Sequence, residues 1–106
     1  MNRNPRLPLT ETVYYVLLAL MQPAHGYLIM SRVESMSAGQ VRLAPGTLYG
    51  ALENLVKQQL ITRVPSDDPR RKVYRITDTG HHALAQDTDR MRHMIDVFTQ
   101  TGEGTG

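Results

Sequence analysis

The sequence of 106 residues contains no cysteine, no tryptophan and a single phenylalanine. Without cysteine there are no disulfides, thiolate zinc sites, iron–sulfur clusters or cysteine nucleophiles, and a reducing cytoplasm is the compartment we expect. The longest apolar run, residues 13–21, has nine residues, less than half of the ~20 that a membrane-spanning helix needs. We therefore predict no membrane partner, and residues 2–8 do not resemble a signal peptide.

The sequence also lacks the motifs of an enzyme. Serine, histidine and aspartate are present, but no motif places a nucleophile beside a base, and no glycine-rich phosphate loop follows a predicted strand. A chain of this length forms one domain with one modest core, which leaves little room for an enclosed active site. With 41% apolar and 21% charged residues, we predict a folded, non-enzymatic protein with no cofactor and no bound metal.

The net charge of +2 conceals an uneven distribution. Residues 1–76 carry ten basic and five acidic residues, whereas residues 77–106 carry two basic and five acidic residues. The first part therefore has a charge of +5 and the second a charge of −3. The densest basic run is Arg70-Arg71-Lys72. A polyanion such as nucleic acid is the natural partner of this run, although three basic residues also suit a solvated turn.

Hydrophobic spacing predicts four helices, over residues 9–21, 27–36, 45–59 and 78–101. The first can be capped by Thr10 or Thr12 and has no polar face beyond them, which suggests that a second chain covers part of it. The third begins at Pro45, which suits a first helical turn. On its outward face lie Gly46 and Gly50, each costing about 1 kcal/mol of helix stability relative to alanine. Such a bare face allows another molecule to approach the helix backbone.

Between the third and fourth helices the pattern alternates with a period of two. Residues 60–65 and 72–77 are predicted strands, and the Ser, Asp and Pro residues between them predict a turn. Residues 23–26 are also predicted to form a turn. The order of three helices and a hairpin with a basic tip is that of a winged helix-turn-helix domain. Its third helix would enter the major groove of DNA, and the hairpin would contact phosphates or the minor groove.

The predicted fold class is therefore mainly α with a small β-hairpin. Residues 1–77 form the winged helix-turn-helix DNA-binding domain, residues 78–101 a C-terminal dimerisation helix, and residues 102–106 a flexible tail. Dimerisation is inferred from a heptad-like apolar seam on the fourth helix that has no obvious partner within the chain. The seam comprises Leu84, Met91, Met94, Ile95 and Phe98, and is interrupted by Asp87 and Thr88.

Several stretches resemble the PadR family of bacterial transcriptional regulators. They are L-A-L at residues 18–20, H-G-Y at 25–27, P-G-T-L-Y at 45–49, leucines 52 and 55 followed by L-I at 60–61, and R-K-V-Y-R-I-T at 71–77 with a glycine at 80. Together they span about residues 9–84. The single short helix after residue 77 is similar to the smaller subgroup of that family.

The resemblance implies a homodimer that binds a pseudo-palindromic operator and acts as a repressor. The fourth helix would pack against the first helix of the partner, through Val13, Leu17, Leu84, Met91, Ile95 and Phe98. Carried over by position, the residues that approach DNA are Tyr27, Thr47, Tyr49 and Gly50, with Arg70, Arg71 and Lys72 on the wing. Asn54 and Lys57 lie on the same outer face but further along the helix, where a phosphate contact or none is expected.

The resemblance also implies release by a small molecule, since some small members bind flat aromatic compounds between the last helices of the dimer. A corresponding pocket would be lined by Val13, Leu17, Met91, Met94 and Phe98, residues that equally suit a plain dimer core. Two other interpretations remain open: a protein-interaction module on a winged-helix scaffold, and a metal-responsive regulator. The second rests only on four histidines and on spacings such as that of Asp89 and His93.

Overall fold

A computed structural model describes residues 4–103, which contain four α-helices and three short strands. In chain order the elements are α1 (Glu11–Ala19), β1 (Ala24–His25), α2 (Gly26–Met36), α3 (Pro45–Lys57), β2 (Ile61–Val64), β3 (Val73–Ile76) and α4 (Asp78–Phe98), followed by a π-helical turn (Thr99–Glu103). The four predicted helices are confirmed, and the first and third end two residues earlier than expected.

Local side chains determine where the helices begin. The hydroxyl of Thr10 accepts a hydrogen bond from the amide of Val13 at 3.1 Å, so Thr10 rather than Thr12 is the cap of α1. The hydroxyl of Thr77 accepts from the amide of Gly80 at 3.0 Å and caps α4. Each hydroxyl satisfies an amide that has no partner within its own helix. Pro45 occupies the first turn of α3 as predicted.

The three strands form one antiparallel sheet in the order β1-β3-β2. The predicted hairpin is confirmed as β2 and β3, and Tyr74 and Ile76 are both buried. The prediction of a plain turn over residues 23–26 was wrong, because Ala24 pairs with Tyr74 and His25 with Val73. The strand has only two residues and exists through its pairing with β3, so the sequence around it shows no alternation of apolar and polar residues.

One hydrophobic core joins the helices to the sheet. Its fully buried side chains come from α1, α2 and α3, from the residues that follow α1 and α3, and from the start of β2: Val16, Leu17, Leu20, Ile29, Val33, Leu48, Leu52, Leu55, Leu60 and Ile61. Each large apolar side chain contributes about 2 kcal/mol relative to an exposed position. The core fixes the back of α3 against α2 and the sheet, and therefore determines which face of α3 points outward.

Two residues predicted to form the dimer interface lie in this core. Leu17 has no exposed surface, and Leu84 is 5% exposed. The all-apolar α1 is covered largely by the chain itself, so assigning Leu17 and Leu84 to the interface was wrong. The same burial removes Leu17 from the predicted effector pocket. Val13 and Met91 are partly buried.

The first half of α4 packs on the body of the chain, and the second half projects from it. The hydroxyls of Tyr14 and Thr88 are hydrogen bonded at 2.6 Å, which joins α1 to α4. From Arg92 onward every described side chain of α4 is exposed. The molecule is accordingly elongated, with extents of 57 × 33 × 20 Å.

Two residues of the predicted flexible tail, residues 102–106, are helical. Gly102 and Glu103 belong to the π-helical turn that continues α4, while residues 104–106 lie outside the described residues.

Two arginines of the basic part interact within the fold. The Arg32 guanidinium donates to the carbonyl oxygens of Ala19 at 2.9 Å and Gln22 at 3.0 Å, and so satisfies the C-terminal end of α1. Arg42 forms an exposed ion pair with Glu34 at 3.5 Å. A mainly structural role follows for Arg32.

Candidate nucleic-acid interface

The outward face of α3 carries no side chain at two positions of its first two turns, Gly46 and Gly50, and is called the bare face below. A Cβ atom added at Gly46 or at Gly50 would meet no atom within 4 Å, so both glycines border open space. Thr47 and Asn54 are exposed beside them. A helix of this shape can bring its backbone close to a flat or grooved surface, as a helix in the major groove of DNA must.

Beside this face, α3 and the hairpin enclose an open cleft of about 820 Å³. One wall is the flank of α3, the other is the hairpin, and the start of α2 closes one end. The lining residues are His25, Gly26, Tyr27, Tyr49, Glu53, Val56, Lys57, Arg63, Arg70, Arg71, Lys72 and Tyr74.

The cleft is strongly positive. Its lining has five basic side chains, those of Lys57, Arg63, Arg70, Arg71 and Lys72, against the one carboxylate of Glu53. In the part of the chain that the structure describes, only Arg70 of these five forms an ion pair, at 3.4 Å from Asp68. That pair is largely exposed and therefore weak. The cations are thus available to a polyanion.

Tyr49 spans the end of the cleft between α3 and α2. Its hydroxyl oxygen lies 3.0 Å from the position that a Cβ atom would occupy at Gly26, and its ring carbons lie at 3.3 Å. The ring therefore packs on the backbone of α2, and Gly26 provides the space for it. Tyr49 nevertheless remains 52% exposed, and Tyr27 beside it is 75% exposed.

Arg63 lies across Tyr74 on the hairpin side of the cleft. Its guanidinium carbon is 5.8 Å from the centroid of the Tyr74 ring, within the range of a cation–π interaction. Sequence reasoning missed Arg63 because it lies outside the dense basic run. The available signal was its strand position, since the hairpin register places it directly opposite Tyr74.

The structure brings six of the nine predicted DNA-binding residues together in the cleft: Tyr27, Tyr49, Lys57, Arg70, Arg71 and Lys72. The other three, Thr47, Gly50 and Asn54, do not line the cleft and lie exposed on α3 beside it. His25, Glu53 and Arg63 line the cleft but were not predicted. His25 also accepts a hydrogen bond from the Leu28 amide at 3.4 Å through Nδ1, which caps α2.

A shallow hollow of about 260 Å³ lies between α1 and α4, and an exposed ion pair of Arg92 with Asp89, at 3.4 Å, contributes to its rim. Within residues 4–103 no three histidine or carboxylate side chains gather in a possible metal site. Among the described helices, none combines the length and apolar character that crossing a membrane requires.

Three helices, a small sheet with a basic hairpin, and an open cleft beside α3 define a winged helix-turn-helix domain. Solved structures of transcriptional regulators share this architecture. The PadR family regulator from Eggerthella lenta DSM 2243 is 26% identical, with a TM-score of 0.68 over 84% of this chain and 79% of that one. RosR of H. salinarum is 20% identical, with a TM-score of 0.69 over 95% and 99% of the two chains.

The chain matches the Transcriptional regulator PadR-like family over residues 15–86. It therefore belongs to that family, whose members are transcriptional regulators and not enzymes. A curated relative, an uncharacterised 37.1 kDa protein of transposon TN4556 from Streptomyces fradiae, is 36% identical over 72 residues, which make up 68% of this chain. The chain spans about a fifth of the length of that relative.

Proposed function

We propose that the protein is a sequence-specific repressor that binds a pseudo-palindromic operator as a homodimer and works in the cytoplasm. The observation that carries this proposal is the pairing of the bare face of α3 with the basic cleft beside it. PadR-like regulators bind DNA, and this arrangement supports α3 and the cleft beside it as the DNA-binding surface of the chain.

In the proposed complex, the first turns of α3 lie in the major groove. Thr47 and Asn54 face base edges or phosphates there, while Gly46 and Gly50 allow the helix backbone to approach. One phosphodiester strand passes through the cleft, where Tyr27 and Tyr49 are exposed. Arg71 and Lys72 then reach the phosphates that border the minor groove.

Dimerisation is proposed to use the projecting half of α4. Met94, Ile95 and Phe98 form an exposed apolar stripe, at 47%, 62% and 61% exposure. A second copy that packs antiparallel or crossed on this stripe would remove it from water and place two α3 helices on one face. Two such helices match half-sites about 34 Å apart, one turn of DNA. Met91, one turn before the stripe on α4, and Val13 of α1 are both partly exposed and would extend the contact.

Release by a hydrophobic or aromatic effector is part of the same proposal. Its pocket would form only in the dimer, between Val13, Met91, Met94 and Phe98, with the flexible methionine side chains adapting to the ligand. Bound there, the effector would change how the two chains pack and therefore the distance between their α3 helices.

Fluorescence anisotropy on a labelled mixed-sequence duplex, over a series of salt concentrations, tests DNA binding. Affinity should fall steeply as salt rises. Replacing Arg70, Arg71 and Lys72 together by alanine should weaken binding at least tenfold and lower the salt slope by about 2 to 3, one unit per lost phosphate contact. Wild-type protein without salt-dependent binding would refute the DNA-binding function and favour a protein-interaction module.

Selection of bound sequences from a random DNA pool tests operator symmetry. We expect a consensus with two inverted halves. A consensus with a single half would contradict the proposed dimer on the operator while leaving DNA binding intact.

A further inference from the structure

Arg63 differs from the other basic residues of the cleft in being supported by an aromatic ring. It stands on β2 at the register position opposite Tyr74 of β3, and its guanidinium carbon lies 5.8 Å from the ring centroid. Tyr74 is only 7% exposed, so the ring itself is fixed by the core. The arginine is exposed and faces the cleft over this fixed support.

The other cleft cations have no such support among the described contacts. The side chain of Arg70 is 91% exposed and is directed by Asp68 at the tip of the hairpin. Lys57 lies on the opposite wall, on α3. No carboxylate in residues 4–103 forms an ion pair with Arg63. Arg63 therefore combines an unpaired charge with a restricted position.

We infer that Arg63 binds the phosphodiester strand that crosses the cleft and fixes its position between α3 and the hairpin. This inference rests on the proposed DNA-binding function. With α3 in the major groove and the hairpin at the minor groove, the strand between the grooves passes over the wall on which Arg63 lies. The planar guanidinium offers a fork of N–H donors that matches a phosphate, which an ammonium does not.

The fixed position has an energetic consequence. An arginine that is already ordered loses less rotamer freedom when it binds than an exposed, mobile arginine does. Arg63 should therefore contribute more affinity than a wing residue such as Arg71, although each contributes about one unit to the salt slope. Because the contact is with the DNA backbone, it should be equally strong on unrelated sequences.

The experiment compares three single variants of the full chain on one mixed-sequence duplex, by anisotropy over a salt series. R63A should lose at least about tenfold in affinity and about one unit of salt slope. R63K should keep most of the slope but lose several-fold in affinity, since lysine has neither the fork nor the flat face. R75A is the matched control: Arg75 is exposed on the same sheet, does not line the cleft, and donates to the Ile76 carbonyl at 3.4 Å.

A second pair of variants tests the support. Y74L removes the ring and should reproduce part of the R63A loss, whereas Y74F keeps the ring and should lose less affinity than Y74L. Circular dichroism must show that Y74L remains folded, because the residue is buried. The DNA affinities of R63A and of the double variant Y74L/R63A are then compared. If the ring acts through Arg63, the double variant should bind DNA as tightly as R63A does.

The outcomes are distinct. If wild type binds with the expected salt dependence and R63A matches it, or if R75A loses as much as R63A, Arg63 has no special contact. If R63K equals wild type, the charge alone suffices and the fork geometry is refuted. If wild type shows no salt-dependent binding at all, the proposed DNA-binding function is refuted, and the inference about Arg63 with it.

Discussion

Gly80, in the first turn of α4, faces the backbone carbonyl of Leu60 so closely that a Cβ atom at position 80 would collide with that oxygen. The same atom would lie 2.9 Å from Cγ1 of Ile76. The Leu60 carbonyl already accepts a hydrogen bond from the Thr77 amide at 3.0 Å, so moving it away would break the hydrogen bond that joins the β3–α4 junction to the segment between α3 and β2. A glycine is therefore required where α4 docks on the segment between α3 and β2.

Replacing Gly80 by alanine should destabilise the fold by about 2 kcal/mol or more, because backbone rather than a flexible side chain would have to move. Chemical denaturation monitored by circular dichroism measures the change. Gly46→Ala is the control, since its added methyl group meets no atom within 4 Å. Equal stabilities for the two variants would show that the contact at Gly80 relaxes at little cost.

Replacing Gly50 by alanine should separate stability from DNA binding. Position 50 is inside α3 and borders open space, so alanine should raise the free energy of unfolding by up to about 1 kcal/mol. The added methyl group should weaken DNA binding by keeping α3 away from the major groove. Ser35→Ala, at an exposed position of α2, should also improve helix stability without affecting DNA binding. A Gly50 variant with wild-type DNA affinity would contradict the close approach of α3.

Two ion pairs of the same spacing on α4 should differ sharply in their contribution to stability. Arg90 Nε lies 2.7 Å from Oδ1 of Asp87, whose side chain is 2% exposed, whereas Arg92 and Asp89 pair at 3.4 Å with side chains 73% and 76% exposed. Arg90→Ala leaves a buried carboxylate without its partner and should cost about 2 to 4 kcal/mol. Arg92→Ala should cost less than about 0.5 kcal/mol.

Thermal and denaturant unfolding of both variants measures this difference. A similar, small effect for Arg90→Ala and Arg92→Ala would mean that water reaches Asp87 when its partner is removed.

Placing charges on the projecting apolar stripe should produce monomers. Ile95→Asp combined with Phe98→Asp would put two carboxylates into the proposed interface, at positions that are 62% and 61% exposed in the single chain. The single chain should therefore still fold, whereas a charge at Leu84, in the core, would be expected to unfold it. Light scattering after size exclusion measures the mass, and His93→Asp, off the stripe on α4, is the control. A stable dimer in the double variant would place the interface elsewhere.

Much of the fold follows from local chemistry and could be predicted. Thr10, Pro45 and Thr77 each act within a few residues of their own position, so the beginnings of α1, α3 and α4 are legible in sequence. The strand Ala24–His25 was not, because it exists only through pairing with β3. Leu17 was misassigned for a related reason. A helix that is apolar on all sides does not indicate which side faces its own core.

The candidate site was predicted where charge is dense along the chain and missed where it is assembled in space. Arg70, Arg71 and Lys72 are consecutive, but Arg63 reaches the same cleft through the register of the hairpin. Conversely, Arg32 adds to the positive charge of the first part of the sequence yet donates to the carbonyls of Ala19 and Gln22. Net charge counts both residues alike, and only the fold distinguishes them.

Because the second half of α4 projects from the body, a small rotation at its base would displace its end by a larger distance. The last buried side chain of α4 is that of Asp87, which pairs with Arg90. Phe98 lies about 16 Å beyond Asp87 along the helix, at about 1.5 Å per residue. A rotation of about 5° at Asp87 would displace Phe98 by about 1.4 Å. The same rotation in both copies of the proposed dimer would change the angle between their bodies by about 10°. In the proposed dimer, a small change of packing at the start of the projecting half of α4 would therefore change the distance between the two α3 helices.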